Sequence, residues 1–110
     1  MSEAVLKNKD INKVEVTLEE AVNKGDIIAF GDNAVVAGVA GVVGESIVCY
    51  RAGIFAVVAK ADDTFNVGDK VYFDVTNRVA TVTADNNKYL GIAESGKESG
   101  TDVVRVIVGA

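Results

Sequence analysis

The 110-residue sequence contains no histidine, no proline and no tryptophan, and it has a single cysteine. Without histidine the chain lacks the commonest general base and imidazole metal ligand, and Ser-His-Asp and Cys-His arrangements are excluded. One cysteine excludes an internal disulfide framework and any multi-cysteine zinc site. Because proline is absent, every strand can donate its ladder hydrogen bonds. These absences favour a binding or structural role over catalysis.

Charge and hydropathy argue against two classes of partner. The chain has 11 basic and 16 acidic residues and a net charge of −5, whereas nucleic-acid binding relies on a basic patch that neutralises phosphates. No apolar run approaches the ~20 residues that span a bilayer, and the first ten residues lack the features of a signal peptide. We therefore expect no direct nucleic-acid contact, no membrane partner, and synthesis in a reducing cytoplasm.

Valine dominates the apolar residues, and its branched side chain favours pleated strands over helices. Strand-like segments alternate with turn signals, the pattern of an all-β sandwich or barrel. We predict an all-β fold, a compact β-barrel or β-sandwich with short hairpins or a β-clip-like variant of it. A single domain covers residues 13–110, preceded by an extended N-terminal arm at residues 1–12. The predicted strands cover residues 13–18, 26–30, 34–40, 46–61 (two strands or one bent strand), 70–75, 78–84, 89–94 and 102–110.

The residues after the first strand also fit helical spacing. A helical turn capped by Thr17, with Glu20 three residues later and Gly25 at its end, is predicted there.

Three glycines spaced three apart lie within VAGVAGVVGE, residues 36–45. A phosphate loop is the weaker reading, because no Lys-Ser or Lys-Thr follows and residues 46–50 are a poor helix start. A faint internal repeat aligns residues 23–38 with residues 66–81, each with Gly-Asp before a strand. Glycine supplies the positive φ that such turns require. We interpret the glycines as positions of bends, bulges or close strand packing.

We predict no catalytic residue, no cofactor and no metal site. Cys49 lies within a strand pattern and is interpreted as a small buried hydrophobe. Oxygen-rich turns at residues 31–33 and 84–87 lack the spaced ligand series of a calcium loop. Acidic pairs occupy turn positions, where local hydrogen bonding is a commoner role than acid–base catalysis. The pairs are Glu19 and Glu20, Asp62 and Asp63, and Asp69 and Asp74.

Six short segments follow one another between residues 22 and 110: Gly25-Asp26, Gly44-Glu45, Gly53-Ile54-Phe55, Gly68-Asp69-Lys70-Val71-Tyr72, Leu90-Gly91-Ile92-Ala93 and Val103–Val108. In this order and spacing they resemble a family of small capsid-cement, or head-decoration, proteins of tailed bacteriophages. The resemblance implies a compact β domain, commonly a homotrimer, on the outer face of the mature head, with no catalytic residues. Residues 56–61 depart from the family pattern, which commonly has proline there, and the first twenty residues have no clear counterpart.

We accordingly predict a virion structural protein that is made in the bacterial host cytoplasm, binds the major capsid protein and stabilises the head. Arm lysines at positions 7, 9 and 13 are predicted to lie across a neighbouring capsomer. Segments 34–43 and 102–109 are apolar on both faces, more than a small core needs, and one of them is expected at a subunit contact. The candidate interface residues are Lys7, Lys9, Lys13, Val104, Val106 and Val108, and lysine at position 106 or 108 is expected to weaken assembly.

The alternative is a β-barrel binding module that recognises a carbohydrate or a protein surface. It requires an exposed aromatic or oxygen-rich concave site, and its aromatic candidates are Tyr50, Tyr72 and Tyr89.

Overall fold

The computed structural model describes residues 12–97 and 100–110. Nine β-strands and no helix occur among these residues, so the all-β prediction is confirmed. Most of the predicted arm, residues 1–11, lies outside the described residues, and the boundary at residue 12 stays a prediction. The strands are β1 (Lys13–Thr17), β2 (Ile27–Phe30), β3 (Asn33–Ala37), β4 (Ser46–Tyr50), β5 (Gly53–Val58), β6 (Lys70–Asp74), β7 (Val79–Thr81), β8 (Lys88–Ala93) and β9 (Val103–Val108).

All nine strands belong to one open sheet that branches. Six strands follow the order β1-β4-β3-β8-β6-β7, while β2 pairs with β3, and β9 pairs with both β8 and β5. The pairings are antiparallel except that of β3 with β8, which meet in parallel at Asn33 and Tyr89. A parallel bridge between Ala59 and Ala80 joins the chain after β5 to β7. Strands β5, β9, β8, β6 and β7 therefore surround one core.

Two hydrophobic clusters hold the sheet together, and β3 contributes to both. Ala34 and Val36 face the larger cluster, which also contains the inward side chains of β5 to β9. Val35 and Ala37 face the smaller cluster, with Ile47 and Cys49 of β4. The apolar character of β3 on both faces is therefore accounted for within the chain. Cys49 is fully buried, which confirms its interpretation as a core hydrophobe.

The same four-residue turn precedes β2, β4 and β6. Its third residue is a glycine with φ of 90°, 88° and 90° in the three copies. An acidic side chain at the fourth position accepts a hydrogen bond from the first backbone N–H at 2.8–2.9 Å. Positive φ at the third position is the requirement of a type II turn. The copies are residues 23–26, 42–45 and 66–69: the predicted repeat is confirmed at its turn, and a third copy lies in the glycine-rich segment.

The predicted helical turn after β1 is wrong, because long-range backbone pairing replaces it. The N–H of Leu18 donates to the carbonyl of Glu45 at 2.8 Å, and the N–H of Gly44 donates to the carbonyl of Leu18 at 2.9 Å. Val22 and Gly41 exchange two backbone hydrogen bonds of 3.0 and 3.1 Å. These bonds use the groups that a local helical turn would need.

Close packing explains the other two glycines of the same segment. A Cβ at Gly38 would lie 2.8 Å from the carbonyl oxygen of Val48, and one at Gly41 would lie 2.7 Å from a methyl of Leu18. With the turn glycine at position 44, all three have a backbone or packing role, as interpreted from the sequence.

Candidate interaction surfaces

The structure places the three candidate valines of β9 inside the chain. Val104, Val106 and Val108 are 0%, 0% and 1% exposed and belong to the larger core. In the folded chain these side chains thus pack internally, and the outward positions of β9 are its alternate residues. Of the three candidate lysines, Lys13 is exposed on β1 opposite Tyr50 of β4, and residues 7 and 9 lie outside the described residues.

The outward residues of β5 and β9 form an aliphatic stripe, defined here as Ile54, Val58, Val103 and Ile107. Ile54 lies opposite Ile107 and Val58 opposite Val103 in the antiparallel register. The exposed fraction is 54% for Ile54, 37% for Ile107, 58% for Val58 and 49% for Val103. Several large aliphatic side chains exposed together on one face mark interaction sites on soluble proteins.

An ion pair lies in the middle of the stripe. Arg105 of β9 lies between its two pairs of aliphatic residues, opposite Ala56, and its Nε is 2.9 Å from Oε2 of Glu94. The exposed pair adds little stability by itself. It does neutralise the charge locally, so the stripe presents an apolar surface without needing an opposite charge from a partner.

A second exposed apolar surface is the valine knob, defined here as Val39, Val42 and Val43. These side chains are 49%, 59% and 66% exposed, in the loop between β3 and β4. Acidic residues flank the knob. Glu45 closes its turn by accepting the N–H of Val42 at 2.8 Å, and the exposed Glu19 and Glu20 follow Leu18, which pairs with this turn.

An apolar groove of about 380 Å³ runs between the start of β2 and β5. Residues 24–27 line one side and residues 55–58 the other. Three aromatic side chains contribute to its lining: Tyr50, Phe55 and Phe73. The rings of Tyr50 and Phe55 lie 6.0 Å apart between centroids, within the range of a favourable aromatic pair.

Two cationic side chains, Lys24 and Arg78, lie among the residues that line the groove. The guanidinium carbon of Arg78 lies 4.8 Å from the centroid of the Phe73 ring, and its Nη2 donates to the carbonyl of Ile27 at 2.7 Å. This hydrogen bond joins positions 51 residues apart, so no local sequence pattern predicts the placement of Arg78. Lys24 is the exposed second residue of the first type II turn.

The three tyrosines do not converge on one site. Tyr72 and Tyr89 meet edge to face with centroids 5.6 Å apart, and the hydroxyl of Tyr89 donates to the carbonyl of Ala110 at 2.7 Å. Tyr50 lies in the apolar groove instead. The aromatic candidates for the alternative function are therefore divided between two places on the molecule.

Three acidic residues of the candidate pairs accept hydrogen bonds that hold the chain together. Asp63 accepts a hydrogen bond from the Thr81 hydroxyl at 2.5 Å, and Asp69 closes the third type II turn. The pKa of Asp74 is lowered, chiefly by hydrogen bonds from the backbone and side chain of Asn77. Within residues 12–97 and 100–110, no group of three or more His, Cys, Asp or Glu side chains could hold a metal ion.

A buried lysine is a further feature that sequence reasoning missed. Lys97 is 4% exposed, and its Nζ donates to the backbone carbonyls of Ala61 and Asp63. Its own backbone exchanges two hydrogen bonds with Phe65. Lys97 therefore joins the loop between β5 and β6 to the segment after β8.

Burial of Cys49 raises the pKa of its thiol, which disfavours the reactive thiolate.

Comparison with known proteins identifies the family. No curated protein and no solved structure matches the chain. No helix among the described residues is long and apolar enough to span a membrane. The model of one family, described as phage cement protein, matches residues 6–108, so the family resemblance seen between residues 22 and 110 is confirmed. The expectation that the first twenty residues have no counterpart in the family is wrong from residue 6 onward. The chain belongs to the phage cement protein family, a structural family of the virion.

Proposed function

We propose that the protein decorates the outer surface of the mature phage head, where it binds the major capsid protein and stabilises the expanded shell. Family membership supports the virion role. The aliphatic stripe is the observation that carries the binding step. It leaves four large aliphatic side chains exposed on one face of two paired strands, and contact with the shell would bury them at about 25 cal/mol per Å².

We further propose that the protein acts as a homotrimer, as the family resemblance implies. Linked copies bind a repeating shell more tightly than one copy, because each bound copy raises the effective concentration of the next. Lys7, Lys9 and Lys13 are proposed to lie across a neighbouring capsomer and add electrostatic contacts there. The arrangement needs no enzymatic step.

Co-sedimentation with purified head shells of the cognate phage tests this function. We expect saturable binding to expanded shells and none to compact precursor shells. Ile54→Lys should weaken binding about tenfold or more, because it replaces a large exposed aliphatic side chain of the contact with a charge that burial would desolvate. Val82→Lys is the control, since Val82 is 37% exposed and lies outside the stripe. Equal binding by both variants would remove the stripe from the contact, and no binding by the folded native protein would refute the function.

A further inference from the structure

We propose that the valine knob of one copy packs into the apolar groove of a second copy. The inference rests on the self-association proposed above and names the two surfaces that make it. The occupant of the groove is residues 39–43 of another chain of this protein. The knob lies apart from the aliphatic stripe proposed to bind the shell, and the groove shares Val58 with it, at the end of the stripe opposite Ile54.

The valine knob and the groove are both apolar. The knob exposes three valines within five residues, whereas singly scattered apolar residues would need no explanation. The groove offers aromatic and aliphatic side chains along β5 and at Tyr50. Burial of the knob in the groove would remove both apolar surfaces from water together.

The two surfaces also carry charges of opposite sign. The valines of the knob are flanked by Glu19, Glu20 and Glu45, while the groove carries the cations Lys24 and Arg78 against one acid, Asp26. In a chain of net charge −5, a contact between acidic regions of two copies is repulsive. Docking the acidic knob on the basic edge of the groove brings opposite charges together, which favours this orientation over others.

Hydrogen bonds order the knob before it binds. Gly41 at its centre is hydrogen-bonded twice to Val22, and Gly44 donates to the carbonyl of Leu18. The side chain of Glu45 closes the turn. A loop that is already ordered loses less conformational entropy on binding, so more of the contact energy appears as affinity.

Two different surfaces can join copies in two ways. In a two-fold dimer the knob of each copy enters the groove of the other, and both contacts lie in one interface. In a heterologous arrangement each copy uses its knob on one neighbour and its groove on another, and such contacts close into rings when the rotation between copies permits. The knob-in-groove contact is therefore compatible with the proposed trimer.

The type II turn repeat supplies a matched control. Val43 and Val67 are the second residues of two copies of the same turn, and they are 66% and 72% exposed. Val67 has no comparable valine neighbours in its turn. We expect Val43→Asp to weaken self-association about tenfold or more in sedimentation equilibrium, and Val67→Asp to leave it unchanged. Equal effects of the two substitutions, or a native protein that is monomeric throughout the concentration range, would overturn the proposal.

Cross-linking tests the pairing of the surfaces directly. Val43→Cys and Lys24→Cys variants, mixed and treated with a short bis-maleimide, should give cross-linked dimers that neither variant gives alone, since Lys24 is exposed at the groove and lies outside the stripe. Cys49 is fully buried, so its thiol does not compete for the cross-linker. Cross-linking of Val43→Cys with itself would show a like-with-like contact, and the same yield from a Val67→Cys mixture would show collision alone; either result refutes the inference. Shell binding is measured separately, so these failures leave the decoration function standing.

Discussion

At the scale of single residues, several sequence motifs have a local physical cause. The Leu-Gly-Ile-Ala motif needs glycine because a Cβ at Gly91 would lie 2.0 Å from the carbonyl oxygen of Ile107 on β9. The burial of Cys49 and the turn roles of the acids were predictable, since composition and neighbours along the chain govern them. Lys97 and Arg78 were not, because their partners lie 36 and 51 residues away and no local pattern encodes such contacts.

Asp74 gives a pH-dependent prediction at this scale. Its hydrogen bonds from Asn77 lower the pKa of the carboxyl in the folded chain below its ordinary value. The charged form is therefore favoured by folding, and its stabilisation is complete above the unfolded pKa and lost as the pH falls through the folded pKa. We expect Asp74→Asn to be less stable than the native protein at pH 7, with the difference shrinking toward pH 3. Urea unfolding at several pH values measures it, and a difference that is constant with pH would contradict the assignment.

At the scale of secondary structure elements, alternation in β9 was readable but the partner of its valine face was not. Arg105 marks the face of Val103 and Ile107 as the outer one. The sequence does not say whether the face with three valines covers the core of its own chain or a second copy. The structure selects Val104, Val106 and Val108 because the neighbours of β9 on both sides present their inward side chains to the same cluster. The three type II turns show the opposite case, since glycine followed by an acid encodes the turn locally.

Opposite faces of β9 should respond differently to the same substitution. Val106→Lys places an ammonium group at a position that is 0% exposed, and an unpaired buried charge costs several kcal/mol, so we expect loss of folding. Val103 is 49% exposed, so Val103→Lys should change the free energy of unfolding by about 0.5 kcal/mol or less. Thermal unfolding followed by circular dichroism compares them. A stable, folded Val106→Lys variant with altered oligomer mass would restore Val106 as a surface contact.

At the scale of the whole molecule, the monomer buries β3 on both faces yet leaves the aliphatic stripe and the valine knob exposed. The two surfaces belong to different elements, so one chain can contact a shell and a second copy at the same time. The all-β class could be predicted from valine-rich segments with turns between them. The branched sheet could not, because the pairing of β9 with β8 and β5 and of β3 with β8 joins segments far apart in sequence.

Separate surfaces for the shell and for self-association predict how the two should be coupled. Val43→Asp alters the knob and leaves the stripe intact. Each copy should therefore keep its own shell contact and lose only the increase in shell affinity that comes from being linked to other copies. Effective-concentration arguments give that gain as about 10²-fold or more. We therefore expect Val43→Asp to bind expanded shells with the same number of copies at saturation but about 10²-fold more weakly than the native protein.

Ile54→Lys should behave differently in the same co-sedimentation titration. It alters the stripe, so we expect it to weaken binding while the native oligomer mass is retained, because the knob and groove are unchanged. Full-affinity binding of a monomeric Val43→Asp protein would show that linkage contributes nothing to decoration. Loss of oligomer mass in Ile54→Lys would show that the stripe, and not the knob, joins the copies. The titration and the mass measurement together therefore assign each exposed apolar surface to its partner.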